Sequence, residues 1–197
     1  MNRLRAGVAL YNTGQYLAAH EPLEELWLEA PADERDDCVQ GLIQASAAIY
    51  KSRAGNETGA IGLAESAIEY LTDCDESPVA IAPLVGWLER FAADPDLGRR
   101  ETPPKLRLGG EAVGLYDLSP AELIAAAEAV AETNGDELLV RAVEYAESDI
   151  KGGRETSPFV TLTLDYIREP NPIVGQRLRE HVERRRSRES DVEGLFK

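Results

Sequence analysis

The chain has 197 residues, of which 36 are acidic and 21 are Lys or Arg, and its formal net charge is −15. This balance argues against nucleic acid as a partner, because phosphate contacts need clustered Lys and Arg. No apolar run approaches the length of a membrane span, and the apolar stretch Ala6–Leu10 is too short for a signal peptide. We therefore predict a cytoplasmic protein with no membrane partner.

The excess of carboxylates suggests adaptation to a salt-rich cell. In molar salt the Debye length is about 3 Å, so repulsion among carboxylates is screened. The lysines are Lys51, Lys105, Lys151 and Lys197, and all other basic side chains are Arg. A GC-rich genome would explain the preference for Arg over Lys but not the excess of acidic residues. The alternative to salt adaptation is an ordinary acidic protein from such a genome. Salt adaptation predicts that the fold loses stability in dilute salt.

The two cysteines, Cys38 and Cys74, lie inside helical patterns and far from each other in the sequence. Neither has a second Cys or a His nearby, so neither a disulfide framework nor a thiolate zinc site is indicated. We expect two buried, reduced thiols.

Apolar residues at helical spacing, separated by Gly and Pro, predict a series of helices in the first 94 residues. A short helix over 2–12 is followed by one that contains Tyr16–Trp27 and one that contains Val39–Tyr50. Asn56 is an N-cap for a helix that contains Ala60–Leu71, and a further helix is predicted over 79–93. Residues 1–94 should form one helical domain.

The second half begins with an extended linker, and Gly109-Gly110 sits between apolar residues like the turn of a small β-hairpin. Ser119-Pro120 and Ser157-Pro158 are start signals for helices. The predicted helices are 120–133, 136–150, 159–168 and 173–188. The predicted fold is all-α, a compact helical array or bundle of about four to five helices, with 95–118 as linker and possible hairpin and 119–197 as a helical extension.

The last predicted helix is rich in arginine. Such a run of charge is typical of a solvated face. It could also dock onto the protein's own acidic body, onto a partner, or onto RNA.

The residues best suited to chemistry lie in His20–Trp27 (HEPLEELW). His20 and Glu24 are one helical turn apart, so imidazole and carboxylate can share a face. This pair suits metal ligation, or a carboxylate that orients a general base, with Glu21 or Glu25 as a further acid–base group. The catalytic candidates are His20, Glu21 and Glu24.

A metal site at His20 and Glu24 is possible but incomplete. The spacing is similar to the zinc-protease motif with two histidines, but Glu24 replaces the second His. A zincin needs a third ligand as well, and the other histidine, His181, lies in the tail. No cofactor is therefore predicted.

Pro22 disturbs the helix beside His20, because it cannot donate a hydrogen bond to the carbonyl of Ala18. Either the helix kinks at His20 or a new helix starts at Pro22, and a freed polar group could meet a ligand. The alternative is a buried network in which His20, Glu24 and Gln44 bond one another and fix how the helices pack.

Gln40–Ala45 (QGLIQA) is the second suggestive segment. Gly41 costs up to about 1 kcal/mol relative to Ala inside a helix, so it indicates the close approach of another backbone. Packing explains it at least as well as binding does. The helical spacing of Tyr16 and Trp27 likewise favours core positions over a ligand cage. The candidate binding residues are Tyr16, His20, Glu24, Trp27, Gln40 and Gln44.

Taken in order, four segments resemble the domain-of-unknown-function family 309: Tyr11–Tyr16, His20–Trp27, Gln40–Ala45, and Gly55-Asn56 with Gly59-Ala60. The resemblance covers about residues 5–72. It implies a small helical fold in which the His-Glu helix packs on the Gln-Gly-Leu-Ile-Gln helix, with no established activity.

One position departs from that family's pattern. Members often carry a His near the end of the second motif helix, where this chain has Tyr50-Lys51. Residues after about 95 resemble no family, and together with the acidity they look like an extension in a haloarchaeal-type member.

Three functions follow as expectations. The first is a helical module that binds a protein partner or a small ligand near His20, Glu24 and Gln44. The second is a metal-dependent hydrolase that uses His20 and Glu24. The third is an RNA-associated protein that acts through the arginine-rich tail. This function ranks last, because molar salt would weaken the binding of RNA.

Overall fold

A computed structural model describes residues 2–194. This part of the chain holds ten α-helices and one two-stranded sheet. The all-α prediction is confirmed, but the helices are more numerous than the four to five expected. The chain divides into two compact units, Met1–Leu118 and Ser119–Lys197. No helix within residues 2–194 is long and apolar enough to cross a membrane.

The first unit is built on helices whose ends follow the sequence signals. Gly14 ends the first helix with a φ of 83°, Asp36 caps the third by accepting from the Cys38 N–H, and Asn56 caps the fourth by accepting from the Gly59 N–H. The helices are α1 (Asn2–Asn12), α2 (Tyr16–Glu29), α3 (Asp37–Arg53), α4 (Glu57–Leu71), α5 (Ala82–Ala93) and α6 (Leu97–Arg100).

Small side chains let the first four helices approach closely. Each helix packs on the next, and the alanines of these helices fill much of the core. Gly41 of α3 illustrates the tightness: a Cβ built there would lie 2.5 Å from Cγ and Cδ2 of Leu71, a side chain that is 2% exposed. The close approach expected at Gly41 therefore involves α4 and serves packing.

Replacing Gly41 with Ala should destabilise the first unit, although Ala is the better helix former. We expect a loss of about 1–3 kcal/mol in the free energy of unfolding, because the added methyl group overpacks against buried Leu71. Gly62 of α4 is the matched control, since nothing lies within 4 Å of a Cβ built there. Gly62→Ala should raise the free energy of unfolding by as much as about 1 kcal/mol. Denaturant unfolding measures both, and equal effects would contradict the packing argument.

The predicted hairpin is confirmed and belongs to the first unit. Strands β1 (Arg107–Leu108) and β2 (Glu111–Ala112) pair antiparallel around Gly109 and Gly110, whose φ angles are 60° and 90°. Asn12 ties α1 to the flanking segments: its Nδ2 donates to the carbonyls of Leu106 and Val113 at 2.9 and 2.8 Å. Residues 95–118, expected as a linker, are thus held against α1.

The helix predicted over 79–93 begins later than expected. Residues 79–81 lie outside α5, and Val79 forms an antiparallel bridge with Leu108 beside the hairpin. Backbone hydrogen bonds to the hairpin, such as Ala80 N to Arg107 O at 2.8 Å, replace those of a first helical turn. Pro83 then stands in the first turn of α5, where its missing N–H is harmless.

Cys38 and Cys74 form a disulfide, so the expectation of two reduced thiols was wrong. Their Cα atoms are 5.7 Å apart although 36 positions separate them in the sequence. The reason is the helical hairpin formed by α3 and α4: Cys38 lies at the start of α3 and Cys74 just after the end of α4. The short turn at Gly55 brings these two ends together.

The second unit contains the four predicted helices and their caps. Ser119, Asp136 and Ser157 each accept a hydrogen bond from a backbone N–H in the first turn of the helix that follows. The segment 159–168, whose threonines also suited a strand, is helical as its cap indicated. The helices are α7 (Pro120–Asn134), α8 (Glu137–Lys151), α9 (Pro158–Arg168) and α10 (Pro172–Gly194).

Candidate functional site

Helix α2 carries His20 with two carboxylates close to its imidazole. His20 Nδ1 lies 3.8 Å from Glu24 Oε2 and 4.0 Å from Glu21 Oε1. Both distances exceed the length of a hydrogen bond. The carboxylate side chains are 40–46% exposed and His20 is 27% exposed. The three catalytic candidates therefore meet at the surface of α2, in contact with solvent.

A third metal ligand is not found beside this pair. Among residues 2–194, no group of three or more His, Cys, Asp or Glu side chains is arranged to hold a metal ion. Glu25 points elsewhere, since it forms an ion pair with Arg3 at 2.7 Å. The arrangement at His20 thus offers a metal ion only two or three ligand groups, which are loosely positioned.

Pro22 lies inside α2, which continues from Tyr16 to Glu29. A new helix therefore does not start at Pro22. The proline still deprives the carbonyl of Ala18 of its usual helical donor. This carbonyl belongs to a buried residue one turn before Pro22.

The polar network expected among His20, Glu24 and Gln44 is not formed by hydrogen bonds in the described part of the chain. Gln40 and Gln44 lie half-buried on α3, which packs on α2. Their helix is positioned by the small residues of its buried face, with Gly41 against α4. The two glutamines therefore lie on the helix next to the one that carries His20, and no hydrogen bond joins them to His20 in the described part of the chain.

Tyr16 is a core residue. It is 5% exposed, meets Tyr11 edge-to-face at 5.1 Å, and lies beneath the guanidinium of Arg53, whose Cζ is 4.6 Å from the ring centroid. Burial raises the pKa of the Tyr16 hydroxyl, and the charge of Arg53 opposes the rise without cancelling it. Tyr16 therefore holds α1, α2 and α3 together.

Trp27 is the predicted binding residue that the structure places in a pocket. A cavity of about 270 Å³ opens beside it, between α1, α2, α3 and residues 77–79. Its walls are largely apolar, and Glu34 and Asp36 also line it. The Trp27 indole nitrogen is buried and has no hydrogen-bond partner in the described chain. The cavity thus has an apolar lining with two carboxylates at its edge.

We call this cavity the Trp27 pocket, and Arg35 stacks on the ring of Trp27 although it does not line the pocket. Its Cζ stacks 4.2 Å from the centre of the Trp27 ring, at a distance typical of a cation–π interaction. Sequence reasoning missed Arg35 because it lies in the loop between α2 and α3, where no periodicity assigns it a direction.

Comparison with known proteins identifies part of the first unit. Residues 4–63 match the family model described as Domain of unknown function (DUF309). An uncharacterized protein of Aquifex aeolicus (strain VF5) is 27% identical over 99 residues, which are 49% of this chain and 29% of the relative. The aligned chain thus spans less than a third of that relative. No solved structure matches.

The DUF309 match agrees with the resemblance seen over about residues 5–72. It includes α1, α2 and α3 and the first part of α4, so His20, Trp27 and Cys38 all lie within it. Pro78 and Val79, which close one side of the Trp27 pocket, lie beyond the matched residues. The pocket is therefore built mainly from residues that match the DUF309 model and is completed by the chain that follows.

Proposed function

We propose that the first unit is a protein-binding module and that the Trp27 pocket receives one anchor side chain of its partner. The supporting observation is the largely apolar cavity of about 270 Å³ that opens beside Trp27. A large apolar side chain of the partner would fill this cavity.

The size of the cavity favours a side chain over a small-molecule substrate. Pockets for drug-sized ligands usually measure about 300–1,000 Å³, and the Trp27 pocket measures about 270 Å³. Anchors of protein interfaces are typically single large side chains in such pockets.

Charge indicates a partner with basic residues around its anchor. Glu34 and Asp36 line the pocket, and the whole chain carries a net charge of −15. Complementary charge guides association and disfavours wrong partners. The proposed partner segment therefore carries a large apolar residue flanked by Lys or Arg.

The test is a pull-down of the tagged full chain from its native host at the host's own salt concentration. Wild type is compared with Trp27→Ala and with Tyr50→Ala, a matched removal of an aromatic side chain that is 40% exposed and lies outside the pocket. A near-stoichiometric partner should be retained by wild type and Tyr50→Ala and lost by Trp27→Ala. A partner held equally by Trp27→Ala, or none at all, would overturn the proposal.

Fluorescence separates loss of binding from loss of fold. The chain has two tryptophans, Trp27 and Trp87. Trp87 is 3% exposed, is stacked on Phe91, and its indole N–H makes no hydrogen bond in the described chain. Trp87→Phe therefore leaves Trp27 as the single reporter without breaking a hydrogen bond. Adding the purified partner should shift the Trp27 emission.

Metal-dependent hydrolysis at His20 and Glu24 is the alternative. The observation in its favour is the placement of two carboxylates within 4.0 Å of the His20 imidazole. It requires divalent metal that stays with the purified protein and is lost in His20→Gln. The binding proposal predicts instead that His20→Gln keeps both the fold and the partner.

We further propose a salt-adapted protein of the cytoplasm. The acidic excess supports salt adaptation, and melting temperatures that agree between dilute and molar KCl would refute it. A cytoplasmic location has to accommodate the Cys38–Cys74 disulfide, because disulfides are rare in most cytosolic proteins. Alkylating free thiols in intact host cells, followed by mass spectrometry, shows whether the pair is oxidised there.

A further inference from the structure

A second and larger cavity lies within the second unit. It measures about 1050 Å³ and is lined by the connection between α8 and α9 and by one face of α10. Four arginines line it, Arg154, Arg184, Arg185 and Arg188, together with the carboxylates of Asp149 and Glu189. We call it the arginine cleft.

The two carboxylates of the cleft are already engaged. Asp149, whose side chain is 6% exposed, accepts from Arg154 at 2.6 Å and from Arg185 at 2.7 Å. Glu189 accepts from the hydroxyl of Tyr145 at 2.7 Å and is 3.4 Å from Nε of Arg185. These bonds fix Arg185 above the rings of Tyr145 and Phe159, 4.4 and 5.3 Å from their centres.

Arg184 and Arg188 are left with uncompensated charge. Both side chains are exposed. Arg184 donates its Nε to the backbone carbonyl of Glu180 at 3.0 Å, and within residues 2–191 neither arginine forms an ion pair with a carboxylate. His181 stands one turn away on the same side of α10. Burial and the charge of Arg184 lower the pKa of its imidazole, which agrees with a positive potential in the cleft.

We propose that the arginine cleft binds a small molecule that carries a chain of phosphate groups. Guanidinium groups recognise phosphate through paired, charge-assisted hydrogen bonds, and Arg184 and Arg188 have donors available for them. Two unpaired arginines in one cleft are unexpected in a chain with a net charge of −15, and bound phosphates would neutralise them. The volume suits a nucleotide or a short polyphosphate.

The cleft favours such a ligand over RNA. Binding of RNA without sequence preference relies on an extended basic surface that follows the backbone. Here four of the basic groups face one cavity, and outside it α10 carries Glu180 and Glu183 among its other arginines. Most arginines of α10 are exposed, as expected of a solvated face. The alternative of docking onto the protein itself applies to Arg185, whereas Arg184 and Arg188 remain for a ligand.

Calorimetric titration of the full chain with sodium tripolyphosphate and with ATP tests the proposal, at constant ionic strength and with sulfate as the control anion. The test variant is Arg184→Gln/Arg188→Gln. Arg177→Gln/Arg186→Gln is the matched control, because it removes the same charge from exposed positions of α10 outside the cleft. Thermal melting confirms that both variants fold.

Wild type and the control variant should bind at least one of the two phosphate compounds more tightly than sulfate. The Arg184→Gln/Arg188→Gln variant should bind about tenfold or more weakly, as expected when charged hydrogen bonds are lost. Binding of ATP alone would assign a nucleotide, and equal binding of tripolyphosphate would assign the phosphate chain itself. No binding of either compound, or equal weakening in the control variant, would overturn the proposal.

Discussion

Replacing both Cys38 and Cys74 with Ser is expected to lower the free energy of unfolding of the first unit by about 3–4 kcal/mol. The disulfide closes a loop with a sequence separation of 36, and in the chain-entropy model a loop of this length restricts the unfolded chain by about that amount. The bond also joins the start of α3 to the segment after α4, so its loss frees both ends of the helical hairpin.

Guanidinium unfolding followed by tryptophan fluorescence measures this effect, because Trp27 and Trp87 both lie in the first unit. Wild type treated with a reducing agent should approach the stability of the double variant. The second unit supplies the control: hydrogen exchange of α7, α8 and α9 should not change. A loss below about 1 kcal/mol would show that the bond adds little restraint to the unfolded chain.

The sequence predicted the helices well, because each boundary depends on local chemistry. Asn56, Ser119 and Ser157 are caps whose side chains satisfy the first backbone donors of the next helix. The start of α5 was misplaced because a long-range bridge between Val79 and Leu108 competes with the local helical pattern. Periodicity alone contains no information about such a partner.

The candidate sites were less predictable, since they depend on contacts between distant positions. His20 and Glu24 lie close together, as their helical spacing indicated, and the sequence already suggested an incomplete metal site because it offers no second histidine nearby. Trp27 was expected to be a core residue, yet Pro78 and Val79 complete a cavity beside it from the loop after α4, and Arg35 stacks on its ring from the loop before α3. Sequence spacing could not reveal either approach.

The arginine cleft shows the same limit in the second unit. The excess of arginine in α10 was evident from the sequence. Which of the arginines in the cleft is held in place and which two stay unpaired depends on Asp149, which lies on α8. Asp149 stood out in no motif. A buried carboxylate that organises distant arginines leaves no periodic signal along the chain.

Asp149→Asn should destabilise the second unit by about 2 kcal/mol at neutral pH. Removing one partner of a buried ion pair usually costs about 3–5 kcal/mol. The figure is smaller here because Arg154 and Arg185, which are 59% and 24% exposed, can recover part of their hydration. Hydrogen exchange of amides in α8 and α9 measures the loss without interference from the first unit.

Glu147→Gln is the matched control on the same helix. Its carboxylate is 46% exposed and pairs with Lys151 at 2.8 Å, so its loss should cost no more than about 0.5 kcal/mol. If the two substitutions had equal effects, Asp149 would not organise the cleft.

The pH dependence gives Asp149 a signature of its own. Burial raises the pKa of its carboxyl group, but hydrogen bonds from Arg154, Ser157 and Arg185 outweigh burial and hold the pKa below the ordinary value. A lowered pKa in the folded state means that the carboxylate stabilises the fold above the unfolded pKa of about 3.9. This contribution is lost as the pH falls through the folded pKa. The stability difference between wild type and Asp149→Asn should therefore stay constant from pH 7 to about pH 5 and shrink below about pH 4, whereas a difference independent of pH would assign the effect of the substitution to packing.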